Sequence, residues 1–202
     1  MKFQRIGCLT AIMLTAAVSA MAQNSPDPAA LQDAQRKAMR ALEFMDGTWR
    51  GEAWTMYPSG AEHTLVQTER VGTLLDGTVR MIEGRGYNAE GDLVFNALGV
   101  ISFSPDRKAF NMRSYAMGFS GDYLFTPTGN GFKWEMQYGS MQHRYTATIR
   151  DGVWHEIGER TIGDLEPVKF FEMTLQRIGD TDWPAGGAVG SGAPARAAES
   201  KN

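Results

Sequence analysis

The chain of 202 residues holds a single cysteine, Cys8, close to its start. So few thiols leave no disulfide framework, no cysteine-ligated metal and no thiolate chemistry in the body of the protein. An excess of basic charge is also missing: 20 Lys and Arg stand against 23 Asp and Glu, for a formal net charge of −3. Nucleic acid therefore has no electrostatic footprint here. No apolar run reaches the roughly 20 residues that a membrane-spanning helix needs. The three histidines, His63, His143 and His155, lack metal-ligand spacing. Searches for catalytic patterns fail in the same way. No glycine-rich phosphate loop joins a strand to a helix, and no second histidine follows His155-Glu156 at helical spacing. Gly118-Phe119-Ser120-Gly121-Asp122 lacks the second glycine of a nucleophile elbow. No catalytic residue and no metal site is read from the sequence.

What is present is a globular chain, 43% apolar and 21% charged, rich in glycine (23) and modest in proline (8). Residues 1–22 read as a signal peptide: Lys2 and Arg5 precede the apolar run Ile6–Val18, and Ala20-Met21-Ala22 offers small residues at a cleavage site. The expectation is export to the periplasm or beyond, with a cysteine-free mature chain starting at Gln23. Residues 23–45 hold a polar linker and a short helix. Asp27 is its cap, Pro28 sits in its first turn, and Leu31, Ala38, Leu42 and Met45 fall on one face. Residues 179–202, rich in Gly, Ala and Pro, read as a disordered tail.

Between these lies a domain over 46–178 in which the apolar period changes to two. Ten strand-like runs are predicted, at 48–57, 61–70, 78–87, 93–103, 109–116, 122–127, 132–137, 141–150, 153–162 and 168–177. Connectors such as Pro58-Ser59-Gly60, Asp76-Gly77 and Asp151-Gly152 carry the chemistry of tight turns, so consecutive strands pair antiparallel. Ten such strands without helical crossovers escape exposed edges by closing. The fold class is all-β: an up-and-down antiparallel barrel of about ten strands behind a short N-terminal helix.

Gly47-Thr48-Trp49-Arg50-Gly51, after a helix and at the start of the first strand, resembles the Gly-x-Trp opening of lipocalins and related barrels. Leu74-Leu75-Asp76-Gly77, Phe95-Asn96-Ala97-Leu98-Gly99 and Glu172-Met173-Thr174-Leu175-Gln176-Arg177 are similar to a secreted bacterial group, the lipocalin-like domain-of-unknown-function family 1579, over roughly 42–178. A more distant resemblance, from Gly47 through Tyr57-Pro58, is to nitrobindin-like haem barrels. There a histidine in the last strand, five positions before Leu-x-Arg, ligates haem. Leu175-Gln176-Arg177 puts Phe170, which cannot ligate iron, at that place, so the resemblance supports the fold more than the cofactor, and no cofactor is expected.

A two-residue turn at Asp151-Gly152 opposes Arg150 to Val153, which sets the register of the last long hairpin. One face then gathers Met141, His143, Tyr145, Ala147 and Ile149 with Trp154, Glu156, Gly158, Arg160 and Ile162. It is the more apolar face and is placed inside, which sends His143 and His155 to opposite sides. His143, Tyr145, Trp154, Glu156 and Arg160 are the expected ligand-binding residues. Their polar groups form either an internal Arg160–Glu156 structural pair or an anchor for the polar head of a ligand, with the Arg160 fork suited to a carboxylate. Trp49 is expected to plug the closed end. Trp54, Trp134, Phe95, Phe103, Phe110, Phe132 and Phe171 are expected to supply apolar lining, either as packed core or as the wall of a cavity, with Met112, Met117, Met136, Met141 and Met173 as adaptable filler. The face taken by Arg113 and Tyr115 stays open. The partner expected is a small apolar or amphipathic molecule. The alternatives are an enzyme acting on a small molecule in the cavity, or a non-catalytic envelope interaction module with a filled barrel. Oligomeric state is not read from the sequence.

Overall fold

Residues 27–183 are described by a computed structural model, so the expected signal peptide, Cys8 and the expected tail from 184 onward lie outside the described residues. Helix α1 spans Pro28–Met39, and Asp27 caps it by accepting a hydrogen bond from the Ala29 amide at 3.0 Å. A 3₁₀ helix, Arg40–Met45, continues it. Met39, Leu42 and Met45 are buried because residues three apart eclipse on a 3₁₀ turn and form one stripe. Leu31, expected on the same face, is exposed, since the packed stripe begins only at the end of α1.

Ten strands follow: β1 Gly47–Met56, β2 Glu62–Leu74, β3 Val79–Tyr87, β4 Leu93–Ser104, β5 Ala109–Ala116, β6 Phe119–Pro127, β7 Gly131–Tyr138, β8 Met141–Arg150, β9 Val153–Ile162 and β10 Val168–Gly179. Each pairs antiparallel with its sequence neighbours, and β10 closes on β1. The barrel of the sequence reading is therefore present, with strand ends moved by a few residues. The largest change at a strand start is at β6, which begins at Phe119 rather than 122. Met117 and Gly118 both take positive φ and close a two-residue hairpin, a turn the sequence disguises by using methionine in it.

One end of the barrel is sealed. Trp49, Val71, Ile101 and Leu175 meet the stripe of Met39, Leu42 and Met45 there, all at 1% exposure or less. Trp49 donates its indole N–H to the Met45 carbonyl at 3.0 Å. Beside it lies a buried ion pair. Arg80, 1% exposed, reaches Asp46 through Nε and Nη2 at 2.7 and 2.9 Å and gives Nη1 to the Met39 carbonyl. Each of the three guanidinium nitrogens has a partner, which is what makes a buried guanidinium tolerable. Residues 180–183, read as tail, lie against β2: Arg70 pairs with Asp182 and sits 4.4 Å from the Trp183 ring.

The far end is open. It is ringed by the β1–β2, β3–β4, β5–β6, β7–β8 and β9–β10 hairpins. Toward this mouth the wall has a seam. β6 and β7 pair only through Phe125–Pro127 and Phe132–Trp134, and beyond these the strands part. The Tyr123 and Tyr138 hydroxyls bridge the gap at 3.4 Å. No helix among the described residues is long and apolar enough to cross a membrane.

Candidate functional site

The β8–β9 register follows the Asp151-Gly152 turn as read from sequence: His143 opposes Arg160, Tyr145 opposes Gly158, and Ala147 opposes Glu156. Both turn residues have positive φ, so no bulge disturbs the alternation. Tyr145, Trp154 and Glu156 point into a cavity of about 500 Å³. His155 lies on the outer wall, 2.9 Å from Glu172.

The cavity wall is mostly apolar, with Phe95, Phe132, Phe171, Met112 and Met173 among its residues. Trp134 and Tyr145, cross-strand neighbours on β7 and β8, stack with centroids 4.2 Å apart and planes within 4°. Trp134 and Trp154 both aim their indole N–H groups at Glu156, at 3.3 Å to Oε1 and 3.1 Å to Oε2. These donors favour the carboxylate, but burial outweighs them and pushes the Glu156 pKa up to about 7. The expected Arg160–Glu156 pair is not formed, because two indoles occupy the carboxylate instead. Tyr145 is also raised, by burial first and then by the nearby Glu156.

A second carboxylate escaped the sequence reading. Glu69 on β2 is buried and faces the same cavity. Its Oε1 accepts a 2.7 Å hydrogen bond from Nε2 of Gln67, also buried. Burial raises its pKa to about 8. Gln67 opposes that shift, while Glu156 and Glu83 add to it. Gly84 on β3 makes room for this group: a Cβ there would lie 2.8 and 2.9 Å from the two carboxylate oxygens. Period-two contrast fails at Gln67-Thr68-Glu69-Arg70, where both faces are polar. The signal that does find Glu69 is cross-strand. It pairs with Trp49, and paired residues share a face.

His143 and Arg160 do not line the cavity. They stand nearer the mouth against Phe170, with the His143 ring 4.6 Å from that phenyl centroid and the Arg160 guanidinium 5.7 Å away. His143 Nε2 is buried without a partner. Burial, and then the Arg160 charge, lower its pKa. Phe170 and Phe171 both line the cavity, although they are adjacent in sequence. A bulge between Lys169 and Phe171 leaves Phe170 unpaired and re-aims it.

Several expected lining residues lie elsewhere. Trp54 is on the outer wall, since Ala53 takes the inward position of β1, and its N–H meets Glu62 at 3.3 Å. Phe103 and Phe110 pack on each other, outside the cavity lining. Met141 does not reach the lining, while Met117 and Met136 do. Arg113 and Tyr115 face outward, where Arg113 pairs with Asp122. His63 is exposed beside the Tyr57 ring. Among the described residues no group of three or more metal-ligating side chains converges. A shallower hollow of about 550 Å³ lies outside the wall, with Arg85, Leu93 and Tyr115 at its edge, and is open to solvent.

No known family profile matches the chain, and no curated protein matches it. Solved structures do. Rv2717c from M. tuberculosis superposes with a TM-score of 0.54 at 12% identity, over 70% of this chain and 97% of that one. The S-type phycobiliprotein lyase CPES from Guillardia theta superposes with a TM-score of 0.50 at 9% identity, over 77% of this chain and 100% of that one. The likeness is one of fold. At such identities it shows a shared lipocalin-like ten-stranded barrel and carries no residue roles.

Proposed function

We propose that this protein binds a small apolar or amphipathic molecule inside the barrel, with Tyr145, Trp154 and Glu156 among the residues that face it. One observation carries the reading: the interior is a mouth-opening cavity of about 500 Å³, within the size range of small-molecule sites and lined by aromatic rings with a few converging polar groups. A module acting only through its outer face has no use for such a hollow, and a filled barrel would be its more stable form. His143 and Arg160, at the rim, meet the ligand on entry and not at its resting place. No haem is proposed: Phe170 stands where the haem barrels offer a histidine, and a phenyl ring has no lone pair for iron. Membership of the lipocalin-like family 1579 and export behind residues 1–22 complete the proposal. Both rest on sequence motifs.

The test is a fluorescence titration with a neutral apolar probe, N-phenyl-1-naphthylamine. Saturable one-to-one binding is expected, and it is expected to be lost in Ala116→Trp, which sets an indole at the mouth on the last residue of β5. Absence of saturable binding to the folded wild type would contradict the proposal. Export is checked on the same sample: chain recovered from the periplasm or medium starts at Gln23, whereas retention of Met1 would contradict cleavage.

A further inference from the structure

We infer that the deep end of the cavity takes the protonated amine head of an amphipathic ligand, held by Glu69 and Gln67 on β2 with Glu156 facing it from β9. This rests on the interior-binding reading above and names the chemistry of what binds.

The lining contains two carboxyl side chains and no Lys, Arg or His. Neither carboxyl has an ion-pair partner among the described residues. Glu156 is met by two neutral indoles, and Glu69 by one amide. Two acceptor atoms at the deep end lack donors. Oε2 of Glu69 and Oε1 of Gln67 accept no hydrogen bond from the described protein, yet their side chains are only 9% and 4% exposed and both face the cavity. Acceptors that face the cavity without a protein donor are open to a ligand that supplies one.

Bare wall opposite these atoms keeps them accessible. Gly84 and Gly86 on β3 carry no side chain there, and a Cβ at Gly86 would lie 3.2 Å from Oε1 of Gln67. An ammonium offers three donors and no acceptor, which answers the Glu69–Gln67 pair. A carboxylate brings only acceptors, so it leaves Oε1 of Gln67 without a donor and gains no charge attraction from Glu69 or Glu156. The aromatic faces of Trp134, Tyr145 and Trp154 add attraction for a cation and none for an anion. Arg160 stands rimward beside Phe170 and outside the lining.

Protons complete the account. With no cation present, burial holds Glu69 and much of Glu156 in the protonated form at neutral pH. The other titratable side chains lining the cavity are Tyr57, Tyr123, Tyr138 and Tyr145; burial raises the Tyr123 and Tyr145 hydroxyls, and Glu83 adds negative charge from outside the wall. Arrival of an ammonium converts a carboxyl to a carboxylate and sends its proton to solvent. Amine binding therefore strengthens as pH rises through 7 to 8, and binding of a neutral analogue does not.

The experiment is titration calorimetry of the full mature chain with decylamine, decanol and decanoate at pH 7.5, in two buffers of different ionisation enthalpy. Decylamine is expected to bind about tenfold or more tightly than decanol, the scale of a charge-assisted hydrogen bond. It should also release protons, and decanoate should bind weakest. Glu69→Gln and Glu156→Gln should each reduce the ratio of decylamine to decanol affinity and the proton release, with saturable binding of N-phenyl-1-naphthylamine reporting that the cavity is intact. If decanol matches decylamine, decanoate binds tightest, or neither variant alters the preference, the amine assignment is wrong and the interior-binding reading stands. If none of the three binds the folded wild type, both fall together.

Discussion

Glu69 carries a pH dependence that its sequence position hides. In the unfolded chain a glutamate titrates near 4.5; in the barrel this one titrates at about 8. Between those values the unfolded chain gives up a proton that the folded chain keeps. Stability from this group is thus complete below about pH 4.5, declines as pH rises, and is lost once pH passes about 8. Glu156, raised to about 7, acts in the same direction over a narrower window. Glu69→Gln keeps the acceptor for Gln67 and has no proton to lose. Its melting temperature should exceed that of the wild type by about 5 °C at pH 8.5, with the difference vanishing near pH 4. A difference of constant size across that range would show that Glu69 is not buried as described. The residue scale is also where the sequence is least readable. Glu69, Gln67 and the glycines at 84 and 86 leave no apolar contrast along their own strands, and only their partners across the sheet disclose which way they face.

At the scale of elements, reading succeeds where a turn fixes register. Asp151-Gly152 places every inward residue of β8 and β9, and the structure follows it pair by pair. It fails where local irregularity intervenes: the bulge at Phe170, the Met117-Gly118 turn, and the change from α to 3₁₀ helix at Arg40. None of these is marked by the apolar period from which the strands and the helix are read. The β6–β7 seam is another such feature. Ser120–Leu124 and Glu135–Tyr138 extend past the last paired residues, so their backbone groups on the seam side lack the ladder that protects other strands. Amide hydrogen exchange should be faster in these two stretches than in β1, β2 or β10. Protection equal to that of β1 would mean that the seam is closed in solution.

The whole molecule is a barrel stopped at one end and open at the other. A helix, Trp49 and the Arg80–Asp46 pair form the stopper, which leaves the interior accessible only through the mouth and the adjoining seam. Ten short antiparallel strands with tight turns made this architecture legible in the sequence. The hollow itself was not legible, since a period-two pattern reports which residues point inward and not whether they fill the space. The account turns on that hollow being used. The most direct test is native mass spectrometry of the mature protein from its own cells, recorded as isolated and again after incubation with N-phenyl-1-naphthylamine. A one-to-one small-molecule adduct is predicted in at least one of the two spectra and in neither spectrum of Ala116→Trp. An apo mass alone in both wild-type spectra would contradict the proposal that the barrel is a container.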